Sequence, residues 1–211
     1  MDPKEQSFKN LSENLIKKLK LRNMEGYYCN TREEAKELAL SLMEKGSSVT
    51  WGGSMTIKEI GLLDALSPED YEILDRSTAK TPEEQREFYG KAVMADYFLM
   101  SSNAITLDGQ LINIDGNGNR VACLITGPRN VIVIAGINKL VTDVKAGIER
   151  VHNFAAPPNG VRLNTGTPCS TTGMCGNCLT DGCMCCQEVV TRKSRVKGRI
   201  KVIIVGESLG Y

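Results

Sequence analysis

Thiols are the most concentrated chemistry in this sequence. Six of its eight cysteines, Cys169, Cys175, Cys178, Cys183, Cys185 and Cys186, fall in one short stretch. That segment, PCSTTGMCGNCLTDGCMCC, carries glycines and small polar residues that suit a loop better than a packed helix. Crowded thiolates repel one another, and a cation or a sulfur cluster relieves the repulsion. The spacing is Cys-x5-Cys-x2-Cys-x4-Cys-x-Cys-Cys. Cys175 and Cys178 form a chelating pair, because a tight turn sets both sulfurs on one side. Further thiols of the set would complete an iron–sulfur cluster, the expectation preferred here, or a tetrahedral zinc site as the alternative. The thiols left over would suit redox or exchange chemistry. The sequence has no regular second Cys-x2-Cys, which weakens a zinc-ribbon reading, and reduced cysteines with no ligand remain open beside both. Cys29 and Cys123 read as core thiols, and the lone His152 as a packed or solvent-facing residue.

A second set of residues suits an anion. Val49-Thr50-Trp51-Gly52-Gly53-Ser54-Met55-Thr56 reads as strand, glycine turn and helix start. Glycines let a ligand approach the backbone, free N–H groups face the anion, and the Ser54 and Thr56 hydroxyls add donors. A plain tight turn with Ser54 as helix cap fits the same residues. Neither a Walker motif nor a Gly-x-Gly-x-x-Gly fingerprint is present. Residues 102–120, SNAITLDGQLINIDGNGNR, hold more Asn, Asp and Arg than two hairpin turns require. Asn103 and Asn119 are candidate ligand contacts, Asp115 a candidate acid, base or orienting carboxylate, and Arg120 an anion partner. The acidic residue that would close an EF-hand is missing after Asp115-Gly-Asn-Gly-Asn, so calcium is excluded there. Asn138 and Lys139 follow one apolar run and Glu207 follows another, the position where open α/β sheets bind ligands.

Elements must bring these residues together. Phe8, Leu11, Leu15, Ile16 and Leu19 recur at helical spacing and predict an amphipathic helix over 4–21. Thr31 and Glu34 form a capping box opening a helix through Ala35, Leu38, Ala39, Leu42 and Met43. Strands are predicted at 48–51, 71–74, 96–100, 104–107, 110–114, 130–135 and 199–205. Helices are predicted over 55–66, from Thr81-Pro82 onward, over 121–125, and over 140–154 with Pro157-Pro158 as breaker. Asp108-Gly109 between alternating segments marks a hairpin. The alternation predicts a three-layer α/β fold, a mainly parallel sheet with an inserted β-hairpin, in one domain over 1–211. The connection from Ala155 to Gly198, with its Cys-rich insertion at about 165–190, exceeds an ordinary loop and hints at function.

Composition narrows the partners. With 41% hydrophobic residues, 24% charged residues and a net charge of +1 over 211 residues, the chain can bury a core, and no global field attracts nucleic acid or membranes. The charged start lacks a signal peptide's apolar core and no run reaches membrane-spanning length, so a cytoplasmic location is expected. In that reducing compartment, clustered cysteines point to metal or redox chemistry rather than a disulfide framework.

The ordered motifs WGGSMTIKEIG, ADYFLMSSNAIT, DGQLINIDGNGNRVA, TGPRNVIVIAGINKLV, AAPPNGVRL, PC…GMCGNC and KVIIVGESLG resemble the lactate-utilization (LUD) domain family over about residues 30–211. The resemblance implies a Rossmann-like sheet of the kind seen in ribose-5-phosphate isomerase, glucosamine-6-phosphate deaminase and CoA transferases. It places an anion turn near Gly52-Gly53-Ser54. Residues NAITLDGQLINIDGNGNRVA are similar to a region of the translation-initiation-factor-2B type members of that superfamily, which implies that Asn103, Asp115, Asn119 and Lys139 face a shared cleft. Some members of the family sit in operons for oxidation of L-lactate to pyruvate, beside iron–sulfur subunits. The function implied is an accessory or redox component in oxidation of a small organic acid, with a small anionic metabolite and oxidoreductase or iron–sulfur subunits as partners. Fold-mates imply a homodimer. Two other readings stay open: a non-redox enzyme on a phosphorylated or CoA-linked molecule with Asp115 or Glu207 as base or nucleophile, and a metal-stabilised binding module without turnover. The regular ferredoxin spacing of larger relatives is missing here, so ferredoxin function is not implied.

Overall fold

A computed structural model describes residues 2–211. Helix α1 (Pro3–Leu21) opens the chain and leads into strand β1 (Glu25–Cys29). Helix α2 (Arg32–Ser41) follows, started by the Thr31 side chain accepting from the Glu34 N–H. Strand β2 (Ser48–Trp51), a short helix α3 (Met55–Glu59) and strand β3 (Glu72–Ile73) come next, then a 3-10 turn at Arg76–Thr78. Helix α4 (Pro82–Met94) has the full capping box of Thr81 and Glu84, with Pro82 in its first turn. Strand β4 (Tyr97–Met100) is followed by the hairpin β5 (Ala104–Thr106) and β6 (Leu111–Asp115). Helix α5 (Asn119–Ile125), strand β7 (Asn130–Gly136), a 3-10 turn at Ile137–Lys139 and strand β8 (Leu140–Val141) complete the middle of the chain. After helix α6 (Val144–Arg150), a π turn at Val151–Ala155, helix α7 (Ala156–Leu163) and helix α8 (Pro168–Thr172), the chain ends on β9 (Gln187–Thr191) and β10 (Ile200–Val205).

Two sheets organise these elements. The larger is six-stranded, all parallel, in the order β1-β10-β7-β4-β2-β3. Its central strands are apolar on both faces: Val131 to Ala135 and Val202 to Val205 are fully buried, as parallel strands between helical layers must be. One core cluster packs α2 and α3 on one face around Ile132, Ile134 and Ile203; another packs α1, α4 and α5 on the other around Val131, Val133 and Ile204. This is the Rossmann-like three-layer arrangement expected. The smaller sheet, β8-β5-β6-β9, extends the predicted hairpin on both sides.

Four expectations change. Strand β1 has no clear alternation, and it forms because β10 offers it a parallel partner from Glu25↔Lys201 to Cys29↔Val205. Pro157 and Pro158 do not break the helix: a π turn precedes them, and they occupy the first turn of α7, where a missing N–H costs nothing. The helix expected over 55–66 stops at Glu59, and the rest is turns. The long connection from Ala155 to Gly198 is not one loop, since it contains α7, α8 and the edge strand β9.

Candidate functional site

The parallel strands deliver their C-terminal ends to one side, and the loops leaving β2, β4 and β7 meet there. Lys139 ties the three together: its Nζ donates to Thr56 Oγ1 at 2.8 Å and to Ser101 Oγ at 2.9 Å. Next to this junction lies a cleft of about 560 Å³. Its walls include Gly53 and Ser54 from the glycine turn, and Asn103, Asp115, Asn119, Arg120 and Lys139 from the polar centre. Cys183, Cys185 and Cys186 of the cysteine segment form another wall. The fold thus gathers three groups that lie far apart in sequence.

Other candidates stand elsewhere. Glu207 is turned away from the cleft and pairs with Arg32 at 2.6 Å, accepting also from the Arg32 backbone N–H at 2.8 Å. Burial opposes its ionisation, but the Arg32 contacts outweigh that and hold the carboxyl below its ordinary value. Asn138 holds the C-terminal segment, its Oδ1 accepting from the Leu209 N–H at 3.1 Å. Thr56 is fully buried behind Lys139. Cys169 is buried against Thr167 Oγ1 at 3.3 Å, and Cys175 and Cys178 lie outside the cleft wall.

Arg120 is not free to hold an anion. Its Nε donates to Asp115 Oδ1 at 3.1 Å, Nη1 to the Ser101 carbonyl and Asn113 Oδ1, and Nη2 to Asn103 Oδ1 and the Ile114 carbonyl, both at 2.9 Å. All five donors of the guanidinium are thereby used. Asp115 is equally committed, since its Oδ2 accepts from the Arg120 backbone N–H at 3.2 Å. This pair clamps the hairpin β5–β6 to β4 and α5; it presents neither a ready base nor a free cation.

The glycine turn also differs from an anion nest. A Cβ on Gly52 would meet the Arg120 side chain at 3.1 Å, and one on Gly53 would meet Arg76 Nη2 at 3.1 Å. Gly52 therefore makes room for the stem of Arg120, and Gly53 for the guanidinium of Arg76. Ser54 caps α3 by accepting from the Ile57 N–H at 3.3 Å, and that helix is only five residues long.

Arg76 was not among the candidates, yet it lines the cleft and has no ion-pair partner among the described residues. It opens the 3-10 turn capped by Asp75, just beyond the end of β3. Its signal was the same strand-end position that singled out Lys139, masked because β3 is only two residues long. Arg162 of α7 is a second basic wall residue, held by Asn159 Oδ1 at 2.7 Å.

The thiols supply the soft donors that a cluster or zinc needs, but not the arrangement. Among the described residues no three Cys, His, Asp or Glu side chains converge on a metal position. Hydrogen bonds from the side chain and backbone of Thr180 hold the half-buried Cys178 thiol below its ordinary value. Burial and the neighbouring thiols push Cys185 up to about 12, so it stays protonated at neutral pH. His152 Nε2 lies 3.2 Å from Glu188 Oε1 of β9.

No helix among the described residues is long and apolar enough to cross a membrane. Among solved structures, a DUF162 family protein from Deinococcus radiodurans is similar at 16% identity and TM-score 0.50, over 96% of this chain and 98% of that one. It shows the fold. The eIF2B delta protein from Chaetomium thermophilum matches at 15% identity and TM-score 0.35 over 66% of this chain and 54% of that one, a likeness too slight to bear on the fold. Comparison with curated proteins finds no match. The LUD domain model matches residues 12–205, from the middle of α1 to the last residue of β10, and the chain belongs to the LUD domain family.

Proposed function

We propose that this LUD-domain protein is an accessory or redox component in the oxidation of a small organic acid such as lactate, and that its cleft binds the acid as an anion. One observation carries the reading: an arginine with no ion-pair partner among the described residues, a buried lysine and three thiols line the same cleft. Arg76 supplies a bidentate partner for a carboxylate. Asp115 is saturated by Arg120, and Glu207 by Arg32; Asp181 lines the wall as an exposed carboxylate, and Lys139 is the buried group placed to exchange a proton with the ligand. Burial, then the nearby Arg150, brings the Lys139 ammonium down to about 7.

Oxidation of a hydroxy acid to an oxo acid releases two electrons and two protons. Among the described residues the thiols do not converge on a metal position, and the electron carrier in this reading is an iron–sulfur or oxidoreductase partner subunit. A cluster or zinc on this chain would need Cys175 and Cys186 to close onto Cys178 and Cys183, whose side chains already touch, and that rearrangement is the alternative.

Thiol protection tests the reading. L-lactate or pyruvate should slow alkylation of Cys183 and Cys186, followed by peptide mass spectrometry, while Cys178 reacts at its former rate. Rates at Cys183 and Cys186 that are the same with and without the acids would remove the proposal. Anaerobic purification with iron, sulfide and zinc analysis decides between a partner's redox centre and a resident one.

A further inference from the structure

Hydrogen-bond direction at Lys139 carries a chemical consequence. Thr56 Oγ1 donates its proton to the Leu209 carbonyl, and Ser101 Oγ donates to the Ser102 carbonyl, each at 3.3 Å. Both hydroxyls are therefore acceptors toward Nζ. A neutral amine has two N–H bonds to give, and these two acceptors take them. Its lone pair then has no partner among the described residues, and the side chain lines the cleft. A purely structural ammonium at this depth would be expected to have a carboxylate, and none lies in ion-pair contact with Lys139 among the described residues. The charged groups around it are Arg150 and Arg120, which disfavour its ammonium form, and the more distant Glu59, which favours it. Gly210 completes the setting: a Cβ there would meet Thr56 Oγ1 at 2.6 Å and Nζ at 3.3 Å, so the C-terminal segment covers the amine closely.

We propose that Lys139 is a carbonyl-capturing amine, whose Nζ forms an imine with the keto carbon of a small 2-oxo acid held in the cleft. The inference rests on the reading that the cleft binds a small organic acid, and it names the carbonyl class within that group. The lone pair of Nζ forms the C–N bond as the C=O π pair moves onto oxygen. Both amine hydrogens then leave with that oxygen as water, and the C=N bond remains. No electrons are lost or gained and no co-reactant is needed. Ser101 and Thr56 stand within hydrogen-bond reach of the nitrogen to relay the protons. Arg76, on the same cleft, takes the carboxylate.

Reductive trapping decides it. The full chain is incubated with pyruvate and cyanoborohydride at about pH 7.5, where an ordinary lysine is almost wholly protonated. A parallel sample receives propanal, a neutral carbonyl. Peptide mapping should find the pyruvate adduct, heavier by the oxo acid less one oxygen atom, on Lys139 at about tenfold or more above any other lysine. A tenfold excess or more of L-lactate should suppress it. Lys139→Met should abolish the adduct at that peptide, and the wild-type map stands alone if the variant does not fold. Labelling of Lys139 by propanal with no preference for pyruvate would support the amine and contradict anion binding. Modification spread evenly over the lysines, or none at Lys139 with either carbonyl, overturns the inference.

Discussion

Two basic residues of the cleft behave in opposite ways because of what surrounds them. Arg120 is saturated by five acceptors and serves the fold, while Arg76 lies over Gly53 with no ion-pair partner among the described residues. Nothing in the residue types distinguishes the two. The difference arises from Gly52, Gly53, Asn103 and Asn113, whose contacts only the fold creates. Lys139 permits a test at this scale. Its folded value near 7 lies below the usual 10.5, so the unfolded chain holds the extra proton between those two values. Stability should therefore rise as pH increases through that window, and the burial penalty is fully present below it. Lys139→Met removes this contribution, so denaturant melts should show its advantage over wild type shrinking from about pH 7 to pH 10, by a few kcal/mol at most. A constant difference across the window would mean that the lysine is not held neutral.

At the level of elements, legibility followed the strength of local signals. The capping box at Thr81, the Thr31 N-cap, the Asp108-Gly109 hairpin and the apolar runs of β7 and β10 were all readable, because each rests on neighbours in sequence; at Thr31 only half the expected box forms, since the Glu34 carboxylate accepts from the Asn30 N–H instead. Strands β1 and β9 were not, since each forms by lying along a partner strand more than 70 residues away. The cysteine segment was read as one long loop for the same reason: β9 is an edge strand made by β6. Placement of the site at strand ends was legible for Gly53, Ser54 and Lys139. The outward turn of Glu207 was not, because it depends on Arg32 at the start of α2. Another dependence of this kind is the seat of the C-terminal segment on β7. A Cβ on Gly136 would stand 2.6 Å from both the Glu207 carbonyl and the Leu209 N–H nitrogen. Gly136→Ala should cost about 1–3 kcal/mol in chemical denaturation and loosen Leu209 and Gly210 over Lys139. Unchanged stability would show that this segment does not pack where described.

Over the whole molecule, the parallel sheet collects loop ends on one side, and the second sheet brings the cysteine segment back to the same place. β9 pairs with β6 from Asp115↔Gln187 onward, and the Cys186 N–H donates to the Asp115 carbonyl at 3.0 Å. That pairing makes the thiols a wall of the cleft and joins metabolite chemistry to sulfur chemistry in one cavity. The account therefore stands or falls on a bound anion. Calorimetric titration of L-lactate and pyruvate into the full chain and into Arg76→Ala is the most direct measurement. Arg76 is exposed and makes no ion pair among the described residues, so the variant should melt as wild type does, within about 0.5 kcal/mol. Binding to wild type, weakened about tenfold or more in the variant, is the predicted result, as expected for loss of one charged hydrogen-bonding partner. No heat of binding for either acid with wild type, or equal affinity in the two proteins, would contradict it.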